Sequence, residues 1–137
     1  RQLLCVLLLA FCLSCGPSDT GQPSTVQSEM RKNYRPVARL FQFAWAPAQF
    51  AKATNEAEIL ALLDTVIATF HSVESVAPQE AFEPGFRTTL KYHQASLEDV
   101  RRRFRSGNKD YANWRLRSVA HNCIACHSRY EVPSDFI

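Results

Sequence analysis

Glycine is scarce in this sequence, with four in 137 residues, and there is one methionine. With only seven prolines besides, the composition excludes collagen-like and low-complexity architectures. Charge of one sign is lacking too: 16 Lys and Arg stand against 13 Asp and Glu, a net of +3. So small an excess does not argue for a nucleic-acid partner, and none is expected. The longest unbroken apolar run, Leu3 to Leu13, falls far short of the ~20 residues that a membrane-spanning helix needs. A nucleophile–histidine–acid triad, an acidic dyad and a glycine-rich phosphate loop are all missing, so the expectation is a protein that is not an enzyme. What is present is ordinary globular material, 46% hydrophobic and 21% charged. The length suits one domain plus a leader.

The run from Leu3 to Leu13 stands behind Arg1 and matches the apolar region of a secretory signal peptide. Ser14-Cys15-Gly16 follows, and then a polar, turn-rich stretch to Thr25. A small residue before a cysteine at the end of an apolar run resembles a bacterial lipoprotein cleavage site. In such a site Cys15 becomes the lipidated first residue. Cys12 and Leu13 depart from the pattern, which usually has Leu and a small residue at those positions. The expected organisation is a lipoprotein-type signal peptide over 1–14, a flexible polar linker over 15–25 and a folded domain over 26–137. The protein is then exported to the periplasm and tethered to a membrane through Cys15. The competing reading of the run is a buried N-terminal helix.

Past the linker no strand-like alternation is evident, and the apolar residues recur at helical spacing. A first helix is expected between Thr25 and Trp45, with the stripe Met30, Tyr34, Val37, Phe41 and Ala44 facing inward. Pro36 should kink it or mark a false start, and Pro47 should end or bend it. Asn55 is the expected N-cap of a second helix with the face Ile59, Leu60, Leu62, Leu63, Val66, Ile67 and Phe70. A third begins near Pro84-Gly85 and carries Phe86, Leu90, His93, Leu97, Val100 and Phe104, until Ser106-Gly107-Asn108 stops it. A fourth runs from about Asp110 to Tyr130, with Tyr111, Trp114, Leu116, Val119, Cys123, Ile124, His127 and Tyr130 inward. Four helices on short connections predict an all-α fold, an antiparallel up-down-up-down four-helix bundle.

The fourth helix contains Cys123-Ile124-Ala125-Cys126-His127, the C-x-x-C-H signature for covalent attachment of haem c. Two thiols three residues apart share a helix face and suit two vinyl groups on one porphyrin edge. The adjacent imidazole is a standard axial ligand for the iron. Zinc would need about four ligands, and the motif supplies at most three. A thioredoxin-like pair needs a βαβ context, and a disulfide within C-x-x-C on a helix is geometrically awkward. One haem c, near the C-terminal end of the last helix, is therefore the expected cofactor. A haem-free helical protein, structural or redox-active through its thiols, stays open as an alternative of another class.

With that motif on the last helix, the segment from Phe86 to Tyr130 resembles the class II c-type cytochromes, the family of cytochrome c′ and cytochrome c-556. The resemblance rests on Leu97, the Ser106-Gly107-Asn108 break, Val119 and CIACHSRY, and the helical order from Met30 extends it. Glu131 departs from it, since the family commonly has a basic residue there, and here Arg129 precedes the aromatic Tyr130. The resemblance implies a four-helix bundle that carries single electrons. Low-spin members complete the iron's coordination with a Met in a segment like Met30-Arg31-Lys32-Asn33-Tyr34. Met30 is thus the expected sixth ligand opposite His127, or else a core filler. If the sixth position is empty, the cytochrome c′ reading follows, a binder of small gases such as NO or CO. His93 is a third candidate for the iron, or for a haem propionate. Family members also dimerise through their first two helices, which makes a homodimer the expected assembly.

Three further groups complete the expectation. Tyr34, Tyr130 and Trp114 should pack near the porphyrin as aromatics. Arg31, Lys32, Arg35 and Arg129 should lie nearest the haem edge, for propionate contacts or for docking a redox partner protein. Arg101, Arg102, Arg103, Arg105, Arg115 and Arg117 should form a solvated basic face at the other end. His71 has no partner that the sequence identifies.

Overall fold

The computed structural model describes residues 25–77 and 84–129. These residues form an all-α fold. Helix α1 spans Val26–Ala44, the short α2 spans Pro47–Ala51, and a 3-10 turn spans Ala53–Asn55. Helix α3 spans Glu56–Val76, α4 spans Pro84–Arg105 and α5 spans Lys109–Arg129. The long helices pack antiparallel, α1 on α3, α3 on α4, α4 on α5 and α1 on α5, as a helical bundle. Residues 1–24, which hold the expected leader and Cys15, lie outside the described residues, and so does Tyr130.

Each helix end has a local cause. Thr25 opens α1 with a capping box: its hydroxyl oxygen accepts the Ser28 N–H at 3.1 Å, and the Ser28 hydroxyl oxygen accepts the Thr25 N–H at 2.9 Å. Trp45 caps the C-terminus of α1, and Pro47 starts α2, where its missing N–H costs nothing. Pro36 neither breaks α1 nor marks a false start; one helix runs through it. Pro36 removes a single helix hydrogen bond, whereas both halves of α1 are anchored by burial, through Val26 on one side and Leu40 and Phe43 on the other. Asn55 does not cap α3 with its side chain. Its amide donates to the Gln49 carbonyl at 2.9 Å and so ties the connecting turn together. Helix α4 ends in a Schellman motif: Gly107 N–H donates to Phe104 O at 3.1 Å and Asn108 N–H to Arg103 O at 3.0 Å. Gly107 sits there at φ +83°, a conformation that favours glycine.

The core runs the length of the bundle. Leu40, Ile59, Leu63, Leu97, Val100 and Leu116 are all essentially solvent-free. Burying a side chain of this size contributes ~1.5–3 kcal/mol. Helix α2 plugs the turn end, where Phe50 meets Phe104 edge-on with ring centroids 4.9 Å apart. By length and composition, Ala53–Val76 is apolar enough to cross a membrane, yet Ile59, Leu63, Val66 and Val73 are buried inside the bundle.

The structure turns two faces relative to the sequence expectation. Helix α1 buries Val26, Glu29, Asn33, Leu40 and Ala44, while Tyr34 is 60% exposed. Helix α5 buries Ala112, Asn113, Leu116, Val119 and Ala120, while Tyr111, Trp114 and Ile124 face solvent. On α5 the buried face includes the small residues Ala112 and Ala120, while α1 buries Phe43 and leaves Tyr34 outside. The stripe of α4 is as expected, with Phe86, Leu90, His93, Leu97, Val100 and Phe104 all buried.

The arginine run is neutralised locally. Arg101 and Arg105 pair with Asp64 at 2.7 and 3.5 Å, and Arg102 and Arg103 both pair with Asp99. His71 is exposed and lies 3.6 Å from Glu98.

One buried polar contact clamps α1 to α5. The Asn113 side-chain amide donates to the Ala44 carbonyl at 3.0 Å and to the Phe43 carbonyl at 3.4 Å. Asn113→Ala should strand a buried carbonyl and lower unfolding free energy by ~1–3 kcal/mol. Urea titration should show an earlier midpoint with an unchanged slope; an unshifted midpoint would deny the clamp its role.

Candidate functional site

The C-x-x-C-H residues occupy the last turns of α5. Cys123, Cys126 and His127 are all half-buried, and both cysteines are free thiols. Cys123 packs against the hydrophobic core, whereas Cys126 turns toward α4 and lines a cleft of about 180 Å³. Thr89, Tyr92 and His93 of α4 and Asn122, Ala125, Cys126 and Arg129 of α5 form that cleft. Burial pushes the Cys123 thiol up to about 12, and the neighbouring Cys126 adds to the effect. Burial raises the Cys126 thiol as well. Both sulfurs are therefore neutral near pH 7, unlike the thiolates of catalytic cysteines. Among the described residues, no three His, Cys, Asp or Glu side chains group to hold a bare metal ion.

The Asn113 clamp sets what lies opposite the motif. Antiparallel helices of equal rise pair residues counted equally from a shared contact. Met30 lies fourteen residues before Ala44, and His127 lies fourteen after Asn113. Met30 thus comes level with His127, and Asn33 comes level with Ile124, next to Cys123. Met30 is half-buried and packs against the core. Asn33 is 5% exposed, and neither polar atom of its side chain has a hydrogen-bond partner.

His93 stands on α4 at the level of His121, counted from the Gly107 turn, and lines the cleft beside Asn122. It is 2% exposed, and neither ring nitrogen has a partner. The ring stacks on Phe70, with centroids 5.9 Å apart and planes inclined by 26°. Burial, and then the nearby His127, hold the imidazole below the usual histidine range and so in the neutral form.

The remaining sequence-selected residues divide. Arg129 lines the cleft beside Cys126. Arg31, Lys32 and Arg35 are exposed on the first turns of α1, and Lys32 pairs with the buried Glu29 at 2.6 Å. Tyr34 and Trp114, expected beside the cofactor, point their side chains to solvent. Arg115 belongs to another small cluster: it donates to the Ser96 hydroxyl at 3.0 Å and lies over the Tyr92 ring. Its guanidinium lowers the Tyr92 hydroxyl below the usual tyrosine range. Sequence reasoning passed over Asn33, Thr89 and Asn122. Asn33 follows Glu29 by four on α1, but two polar residues at that spacing carry no apolar signal.

Comparison with protein-family models, with curated proteins and with solved structures gave no match.

In the chain without cofactor, alkylation of Cys123 should be slow. With a thiol at about 12, against ~8.5 for a free cysteine, the reactive thiolate at pH ~8 is scarcer by a factor on the order of a thousand. The rate should climb roughly tenfold per pH unit toward about 12, followed as iodoacetamide label on the Cys123 peptide. A plateau near pH ~9 would mean an unperturbed thiol.

Proposed function

We propose that the protein is a monohaem c-type cytochrome that carries single electrons. One observation carries the reading. The motif's two neutral thiols and its imidazole stand on one helix end, facing a bundle end where two buried polar side chains lack partners. An unsatisfied buried polar group costs ~1–3 kcal/mol, so His93 and Asn33 mark a place where a bound group supplies what the chain does not. The cleft itself is smaller than the ~300–1,000 Å³ that encloses a drug-sized ligand. Donor chemistry rather than volume supports the fit, and α4 and α5 must part to admit a tetrapyrrole.

When bound, the haem supplies an iron centre that cycles between ferric and ferrous states. The chain's own residues do the rest. Cys123 and Cys126 would hold the group through thioether bonds, and the His127 imidazole would supply a ligand to its metal. Arg129 offers positive charge for the group's carboxylates. Phe70 and its apolar neighbours exclude water and disfavour the more highly charged oxidised state. Two side chains at this end of the bundle, Met30 on α1 and His93 on α4, would be available to the metal as a further donor. Arg31 and Arg35, exposed on the same end, suit the docking of an acidic redox partner, where charge steers encounter. Export and a lipid tether on Cys15 belong to the same proposal, because haem c is attached outside the cytoplasm.

Expression of the full chain in a host that matures c-type cytochromes should give a coloured protein with a thioether-type haemochrome spectrum. The Cys123→Ser, Cys126→Ser double variant should lose covalent pigment. A colourless wild-type protein would overturn the proposal. Covalent haem in a high-spin ferric state with ready carbon monoxide binding would replace electron transfer with gas binding.

A further inference from the structure

Which side chain takes the second axial position is a question of which one needs a partner. Met30 does not. Its thioether is a weak acceptor that can stay unpaired in a core at little cost, and packing against the apolar cluster accounts for its place. His93 does. It is the most deeply buried histidine among the described residues, and both its nitrogens are bare. Leu90 and Leu97 are the buried apolar residues on either side of it along the stripe, and a third aliphatic at 93 would complete the stripe without an orphaned donor and acceptor.

Its position suits the role. His93 lines the cleft together with Cys126, one of the two attachment cysteines. Along the bundle axis it stands six residues nearer the Gly107 turn than His127, or ~9 Å at helical rise. The two imidazoles thus come from adjacent antiparallel helices at one end of the bundle. Stacking on Phe70 holds the His93 ring flat against α3 and restricts its rotation. Asn33, whose side-chain oxygen and nitrogen also lack partners, is a poor iron ligand, and its amide can serve a hydrogen bond instead.

Resting on the haem reading above, we propose that His93 supplies the second axial ligand of the iron, giving bis-histidine coordination with His127 and leaving Met30 as a core filler. Replacing a thioether by an imidazole lowers the reduction potential relative to His/Met coordination, so the protein is a low-potential carrier.

Visible and near-infrared spectra of the full-length holoprotein test this. The wild type should be low-spin in both oxidation states, without the far-red band of a sulfur-to-ferric-iron bond. Met30→Leu should leave the spectrum unchanged. His93→Ala should turn the iron high-spin and open it to carbon monoxide, and added imidazole should restore the low-spin spectrum. A far-red band in the wild type that Met30→Leu abolishes would overturn the proposal, as would a high-spin wild type. The wild-type spectrum decides even if His93→Ala fails to fold. The thioether haemochrome is read on the same samples. Its absence would sink the haem reading itself, and its presence with a far-red band would sink only the His93 assignment.

Discussion

The amide of Asn113 holding the last carbonyls of α1 is the contact on which the geometry of the site depends. Helices α1 and α5 are at opposite ends of the sequence, and no short turn sets their relative height. A buried side-chain amide with two carbonyl acceptors does so, because any axial slip would leave buried polar groups unpaired. From that fixed point the helices run in register toward the other end. There α1 brings Met30 and Asn33 level with the C-x-x-C-H motif of α5. The Gly107 turn performs the same service between α4 and α5, with the Schellman hydrogen bonds in place of a side-chain clamp.

The two ends of the bundle differ in how completely they are satisfied. At the turn end, Phe50 packs into Phe104, the Asn113 clamp closes α1, and the basic run of α4 is answered by Asp64 and Asp99. Little is left unpaired there, and the arginines are structural before they are anything else. At the other end two buried polar side chains, His93 and Asn33, have no partners, and two thiols are kept neutral by burial. Unpaired groups in a core are a cost that a fold does not carry without return. They lie at the same end of the bundle as C-x-x-C-H.

Much of this was legible in the residues. The α4 stripe, the helix stop at Gly107 and the C-x-x-C-H spacing were readable because each depends on near neighbours in the chain. Tyr34, Tyr111, Trp114 and Ile124 misled because large apolar residues were taken to point inward. On α5 smaller groups, Ala112, Asn113 and Ala120, take much of the contact surface, and on α1 Phe43 rather than Tyr34 is the buried ring. Asn55 misled in another way: its amide found the Gln49 carbonyl across the turn before it could serve its own helix.

The sequence by itself determined the helical character of the chain and the spacing of Cys123, Cys126 and His127, because helix pitch is a local property. It could not determine the rotation of α5 about its axis, since several faces of that helix have comparable apolar content. Close approach of neighbouring helices decided that, and with it which side chains were sealed from water. The bare nitrogens of His93 and the stranded amide of Asn33 are consequences of that choice: whether a polar atom has a partner depends on what other segments bring to it.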